Sequence, residues 1–223
     1  MTTQLTRNWA NLEPLPKGPH KLPPEAVLAN QIGRIVEAIA TITSEKGYVA
    51  MSVEDIVVES GVSRRTFYDN FKNKQDAYLA GFRIINADML AIVSAATTEG
   101  DGEADGALFA IKRLLDLIAE HPRYSHMCIV EVLAAGPEAL ELRNKTLRSI
   151  ARAIDRSMRS TSGSFQCPLI TAEMVVGGIY ELVYARLIDR QADQLPAMLH
   201  EIAYAAALPY LGHEAAAAAV AKL

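Results

Sequence analysis

The chain has 223 residues, half of them hydrophobic and few aromatic, with a formal net charge of −4. It is long enough for a substantial core, and its composition suits a mainly helical globular protein. Two cysteines, Cys128 and Cys167, are too few and too far apart for a disulfide framework or a zinc knuckle, so a reduced, cytoplasmic setting is expected. The acidity argues mildly against nucleic acid as a partner, but it is unevenly placed. Residues 1–81 carry nine Lys/Arg and nine Asp/Glu, so the excess acid lies wholly beyond them. No apolar signal core opens the chain. Its most apolar stretch, near 169–188, is interrupted by Glu173, Glu181 and Arg186, and no membrane partner is expected.

Residues 1–23 form a polar arm with Pro14, Pro16, Pro19 and Pro23. Nothing in it can bury a core, so disorder is expected in the free protein. Whether it contacts a DNA groove or is a passive tail stays open. Pro24 suits the first position of a helix. Ile32, Ile35, Val36, Ile39 and Ile42 then follow the helical period, and Lys46-Gly47 is the expected stop. Tyr48 is expected to be half-buried.

Residues 51–74 read M-S-V-E-D-I-V-V-E-S-G-V-S-R-R-T-F-Y-D-N-F-K-N-K. Ser52 is a good N-cap, with Asp55 three residues on. Val53, Ile56 and Val57 share a face. Gly61 supplies the positive φ of a tight reversal. Ser63 is a second N-cap, and Phe67 and Phe71, four apart, point inward. Arg64, Arg65, Tyr68 and Lys72 remain on other faces. Asn73 caps the next helix. This is a helix, a turn and a second helix, and such a motif lays the start of its second helix in the major groove. Residues 64–74 hold four cations against Asp69 alone. Arginines there suit guanine edges or phosphates, and free N–H groups at a helix start suit phosphates. Ser52, Ser63, Arg64, Arg65, Thr66, Tyr68, Lys72 and Lys74 are the DNA-binding candidates, with Tyr68 and Lys74 toward phosphate.

The stretch G-V-S-R-R-T-F-Y-D-N-F-K-N-K-Q-D-A-Y resembles the DNA-binding signature of the TetR family of bacterial transcriptional regulators. The match lies at Val62, Ser63, Arg64, Thr66, Phe67, Tyr68, Phe71 and Lys74. It departs at Arg65, where that family often has Gly. The specific resemblance covers about residues 32–82. It implies an all-α protein: a three-helix head at 24–81 and a helical effector-binding and dimerisation domain at 82–223.

Beyond the motif, Tyr78, Leu79, Phe82, Ile85, Met89, Ile92 and Val93 mark one long connector helix. Residues 97–102 read as a loop. Leu108, Ile111, Leu114, Leu115 and Ile118 make another helix, ended by His121-Pro122. Residues 124–135 read as one apolar helix stopping at Gly136-Pro137, and 138–160 as an amphipathic helix. His121, His126 and Cys128 are not spaced as a compact ligand set, so no metal or cofactor is expected. Residues 169–190 and 195–211 read as the last long helices, with a frayed alanine-rich tail after Gly212.

Gly177-Gly178 are poor helix formers, and their use suggests close helix approach. Met174, Gly177, Gly178, Leu182, Met198 and Ile202 are therefore the candidates for a homodimer interface. The resemblance implies a small-molecule effector inside the C-terminal domain. The lining candidates are Met89, Phe109, Tyr124, Met127, Glu131, Tyr180 and Tyr184, and Glu131 requires a partner, either a cationic ligand group or an arginine. The reading is a homodimeric DNA-binding regulator, a repressor released from its double-stranded operator by that effector. A ligand-independent DNA-binding protein and an all-α enzyme or carrier are the alternatives. No nucleophile-base set or phosphate loop supports an enzyme.

Overall fold

The structure is a computed structural model that describes residues 23–97, 102–161, 167–168 and 170–223. Residues 1–22 of the N-terminal arm, 98–101 of the 97–102 loop, 162–166 and Leu169 lie outside these residues. Among the described residues the regular structure is helical: α1 (Pro24–Ala50), α2 (Val53–Ser60), α3 (Arg64–Asn70), α4 (Lys74–Ala96), α5 (Glu103–Glu120), α6 (Pro122–Ile129), α7 (Pro137–Thr161), α8 (Thr171–Ile188) and α9 (Leu199–Val220). Short 3₁₀ turns at Glu131–Leu133 and Ala192–Met198 complete it. The fold class is all-α, as the sequence implied.

The local signals of residues 23–76 act as their chemistry predicts. Pro24 opens α1, whose helical geometry breaks at Gly47, where φ is +80°. Ser52 and Asp55 form a capping box at α2, each side chain serving the other's backbone N–H. Lys46 reaches Asp55 at 2.7 Å. These bonds hold the Asp55 carboxyl down at about 2. Gly61 closes α2 in the left-handed region, with φ +61°. Ser63 and Asn73 accept the amides of Thr66 and Asp76 and start α3 and α4.

Two cores form. The first packs Ile35, Val36 and Ile39 of α1 with Ile56, Phe67, Phe71, Tyr78 and Phe82. It also takes in Met127, Cys128 and Val132, so the head's core crosses the expected boundary at residues 81 and 82. The second packs Leu108, Ile111, Leu115 and Ile118 of α5 with Met158, Val183, Leu187, Leu195, Leu199, Ala203, Ala206 and Tyr210. Among the described residues α4 is the one helix long and apolar enough to cross a membrane by length and composition, a property expected from none. In this fold it joins the cores: Tyr78, Phe82 and Ile85 sit in the first, and Met89 packs against both.

Four expectations are corrected. Residues 124–135 are not one helix: α6 ends at Ile129 and a 3₁₀ turn follows. Apolar spacing continues across the break because Val130 and Val132 are still buried, so periodicity conceals it. The 195–211 helix begins only at Leu199, after a 3₁₀ turn holding Pro196. The tail beyond Gly212 is not frayed: it bends at φ +75°, then buries Ala216, Ala219 and Val220 in the second core. Ile202 is buried in that same core and is not available to a partner.

Phe67→Ala should cost about 3–5 kcal/mol, because a fully buried aromatic leaves a cavity. Tyr68→Ala should cost about 1 kcal/mol or less. Urea unfolding of both variants measures the difference. Asp55 gives a pH test. Its folded pKa lies below its unfolded value, so its contribution is complete above about pH 4 and fades as pH falls toward 2. The gap in urea midpoint between the native protein and Asp55→Asn should shrink over that window.

Candidate nucleic-acid interface

The candidate surface is the exposed side of α3, and its geometry follows from what α3 buries. Phe67 and Phe71 lie in the first core with ring centroids 5.8 Å apart. The opposite side therefore faces solvent, and Arg65 stands on it with 91% of its side chain exposed, 3.7 Å from Asp69. Tyr68 is half exposed, its ring set edge-on to Phe67 at 5.3 Å. Arg64 is also exposed but is tied across the turn: its Nε donates to Glu54 of α2 at 2.9 Å, and a second guanidinium nitrogen reaches the same oxygen. Lys72 is exposed just beyond α3. Ser63 and Thr66 hydrogen-bond through their hydroxyls at 2.8 Å at the helix start. Ser52 is exposed and engaged in its capping box.

Lys74 takes a different place from the one expected. Its ammonium donates to the carbonyls of Tyr48, Val49 and Met51 at 3.1, 3.2 and 2.7 Å and lies 4.8 Å from the Tyr48 ring centre. All three of its N–H donors thus have acceptors within the head. It ties the end of α1 to the start of α4 rather than pointing to a duplex.

The head is fastened to the body through residues 122–136. Arg123 pairs with Glu37 at 3.1 Å and donates to the Thr41 hydroxyl at 3.0 Å. Tyr124 donates to Glu37. The buried Tyr78 hydroxyl donates to the Met127 carbonyl at 2.6 Å, and burial raises its pKa. Gln75 donates to the Ala135 carbonyl at 3.3 Å. Glu131 meets a backbone group rather than the arginine that was one of its expected partners: its carboxylate accepts the Tyr48 backbone N–H at 2.6 Å, just after the break at Gly47. His126 Nδ1 stands 3.9 Å from the same carboxylate, and burial lowers the pKa of its ring.

The pocket candidates are therefore not one cluster. Tyr124, Met127 and Glu131 are committed to the head side. Tyr180 and Tyr184 stack at 6.5 Å on the other side of α6, where the Tyr180 hydroxyl donates to the Ile129 carbonyl at 2.6 Å. Arg143 donates to that hydroxyl at 2.9 Å and lies over the ring. Met89 is half-buried between the cores, and Phe109 is half-buried on α5. Burial pushes the Cys128 thiol up to about 12. Among the described residues no group of three His, Cys, Asp or Glu could hold a metal ion. The contacts of Glu54, Glu37 and Glu131 carry no sequence signal, because each partner is distant along the chain or is a backbone group.

On α8, Met174 is 69% exposed, Leu182 is exposed, and a Cβ added at Gly177 or Gly178 would meet nothing within 4 Å. These four make an open, partly apolar face. Met198 is half-buried against the second core.

Residues 35–80 match the family model described as bacterial regulatory proteins, tetR family. A search of curated proteins finds no match. Among solved structures, the chain resembles the transcriptional regulator FadR from Bacillus subtilis in complex with stearoyl-CoA, with a TM-score of 0.69, 20% identity and coverage of 81% of this chain and 98% of that one. It also resembles the fatty acid degradation regulator FadR from Bacillus halodurans, with a TM-score of 0.72, 18% identity and coverage of 87% and 99%. A TetR-family regulator from Rhodococcus sp. aligns with a TM-score of 0.61 at 21% identity, over 77% and 96%. At these identities the structures speak for the fold alone. A helix-turn-helix that matches the tetR family model over residues 35–80 thus stands on a helical body whose fold is that of the two FadR structures.

Proposed function

We propose that this chain is a TetR-family transcriptional regulator, a homodimeric repressor that releases its operator when a small molecule binds the body. The observation that carries the DNA contact is the outward set of Arg64, Arg65 and Tyr68 on a helix fixed from behind by Phe67 and Phe71. Arg65 is assigned to base edges or phosphate, Arg64 and Tyr68 to contacts beside it, and Ser52, Ser63, Thr66 and Lys72 to the backbone. Lys74 is assigned to holding α1 against α4. The functional units remain the arm (1–23), the head (24–81) and the body (82–223), with residues 122–136 as the shared seam.

Dimerisation is assigned to the exposed α8 face at Met174, Gly177, Gly178 and Leu182, bordered by Met198. A two-fold dimer reads half-sites about one helical turn, roughly 34–36 Å, apart. The effector is assigned to the helices around Met89, Phe109, Tyr180 and Tyr184. The stearoyl-CoA of the Bacillus subtilis structure makes a long-chain acyl-CoA the first compound to test. A ligand that moves α8 pulls on Ile129 through Tyr180, and α6 is bonded to the head at Tyr78, so coupling has a physical route besides α4.

Selection of duplexes from a random pool would give the half-site and its spacing. Against the selected duplex, Arg65→Ala should lose about 1–3 kcal/mol of binding if it contacts a base. Unchanged affinity and salt dependence in both Arg65→Ala and Arg64→Ala would overturn the assignment. A saturating effector should weaken operator binding by roughly 5- to 150-fold, and operator should weaken effector binding by the same factor. Gly178→Leu should shift sedimentation toward monomer, because the added side chain occupies space that the partner's helix needs.

A further inference from the structure

The outer face of α7 carries a row of cations that DNA binding does not use. Lys145, Arg148, Arg152 and Arg156 follow at three, four and four residues, so they share one stripe of the helix, and all four are exposed. At 1.5 Å per residue the row is roughly 16 Å long. Four other cations of the body are each matched by an acid: Lys112 by Asp116, Arg113 by Glu120, Arg159 by Asp155 and Lys222 by Asp105. Among the described residues none of the four has such a partner. Asp155 is already taken by Arg159 at 2.8 Å and Tyr210 at 3.2 Å, and Glu141, one turn before Lys145, forms no ion pair with it.

Like charges one turn apart weaken a helix. A face that served only solubility would intersperse acids, as α5 does. The row is also badly placed for the operator. α7 begins beside the head, where Arg83 reaches Glu138 at 2.6 Å and Gln75 reaches the Ala135 carbonyl. It then runs past the Asn86–Thr146 bond to the far end of the body, where Asp155 meets Tyr210 of α9. Each successive cation is farther from α3. Its inner side, with Ile154 and Met158, is packed in the second core.

We propose that this face of α7 binds the phosphates of the effector, which on the reading above is a CoA thioester. CoA carries a pyrophosphate and a ribose phosphate at one end and its acyl group at the other. Guanidinium groups pair with phosphate oxygens through two parallel N–H bonds, and three of the four cations are arginines. A one-signed row also raises the local concentration of a polyanion before it docks.

The test is calorimetric binding of stearoyl-CoA, stearate and CoA to the native protein and to the double variant Arg148→Gln/Arg152→Gln. Both positions are exposed, and retained melting temperature and operator affinity verify the fold. Stearoyl-CoA should bind the variant at least 10-fold more weakly, with a flatter salt dependence, while stearate binding is unchanged. Equal stearoyl-CoA affinity in the two proteins would overturn the phosphate site and leave the CoA-ester effector standing. A native protein that binds stearoyl-CoA no better than stearate, or binds neither, would remove the CoA-ester reading and this inference with it.

Discussion

The burial of Phe67 and Phe71 is the contact on which the rest of the molecule depends. Helix α3 has seven residues, too few to persist in water by itself. Its outer side must remain polar if it is to meet a duplex, so it cannot be stabilised from there. What holds it is a pair of aromatic side chains set into the first core, the Ser63 cap at one end and the Gly61 turn before it. The rest of the head supplies the walls of that socket.

The last turn of α1 shows how the head is joined to the body. The Tyr48 peptide groups are held from two directions: Glu131 accepts the N–H, and Lys74 donates to the carbonyl. The two opposite charges never touch, yet each is satisfied by the dipoles of one stretch of backbone. A charged side chain taken from water needs such partners, and here they are main-chain groups freed by the break at Gly47. The arrangement fixes the angle at which α1 leaves the head. It also places a residue of the body, Glu131, in direct control of that angle.

The legible parts of the chain were those set by local chemistry. Ser52-Asp55, Gly61, Ser63 and Asn73 announce caps and turns within four residues, and each is used so. The inward Phe67 and Phe71 follow from a spacing of four. The helical body followed from apolar period. The illegible parts were set by distant partners. Lys74 matches a signature at its position, but only the fold brings the carbonyls of residues 48–51 within reach of it. Glu131 was recognisable as needing a partner, and no sequence pattern names a backbone amide 83 residues away. Ile202 shows the limit of apolar period on α9, where core and contact faces carry the same residue types. The end of α6 was hidden because burial continued across the break.

The closure of the second core by the end of α9 has a consequence for how the chain comes to be folded. Lys222 bonds to Asp105 at 2.7 Å across 117 residues, and Ala216, Ala219 and Val220 complete the packing around α5. A contact of that span cannot form until residue 222 has left the ribosome. The head's own contacts need only the first 140 or so residues, through Ala139. The nascent chain therefore presents the outer side of α3 before it has a finished body, and α5 waits with part of its apolar side uncovered. During that interval the uncovered side of α5 is open to chaperones and to wrong partners.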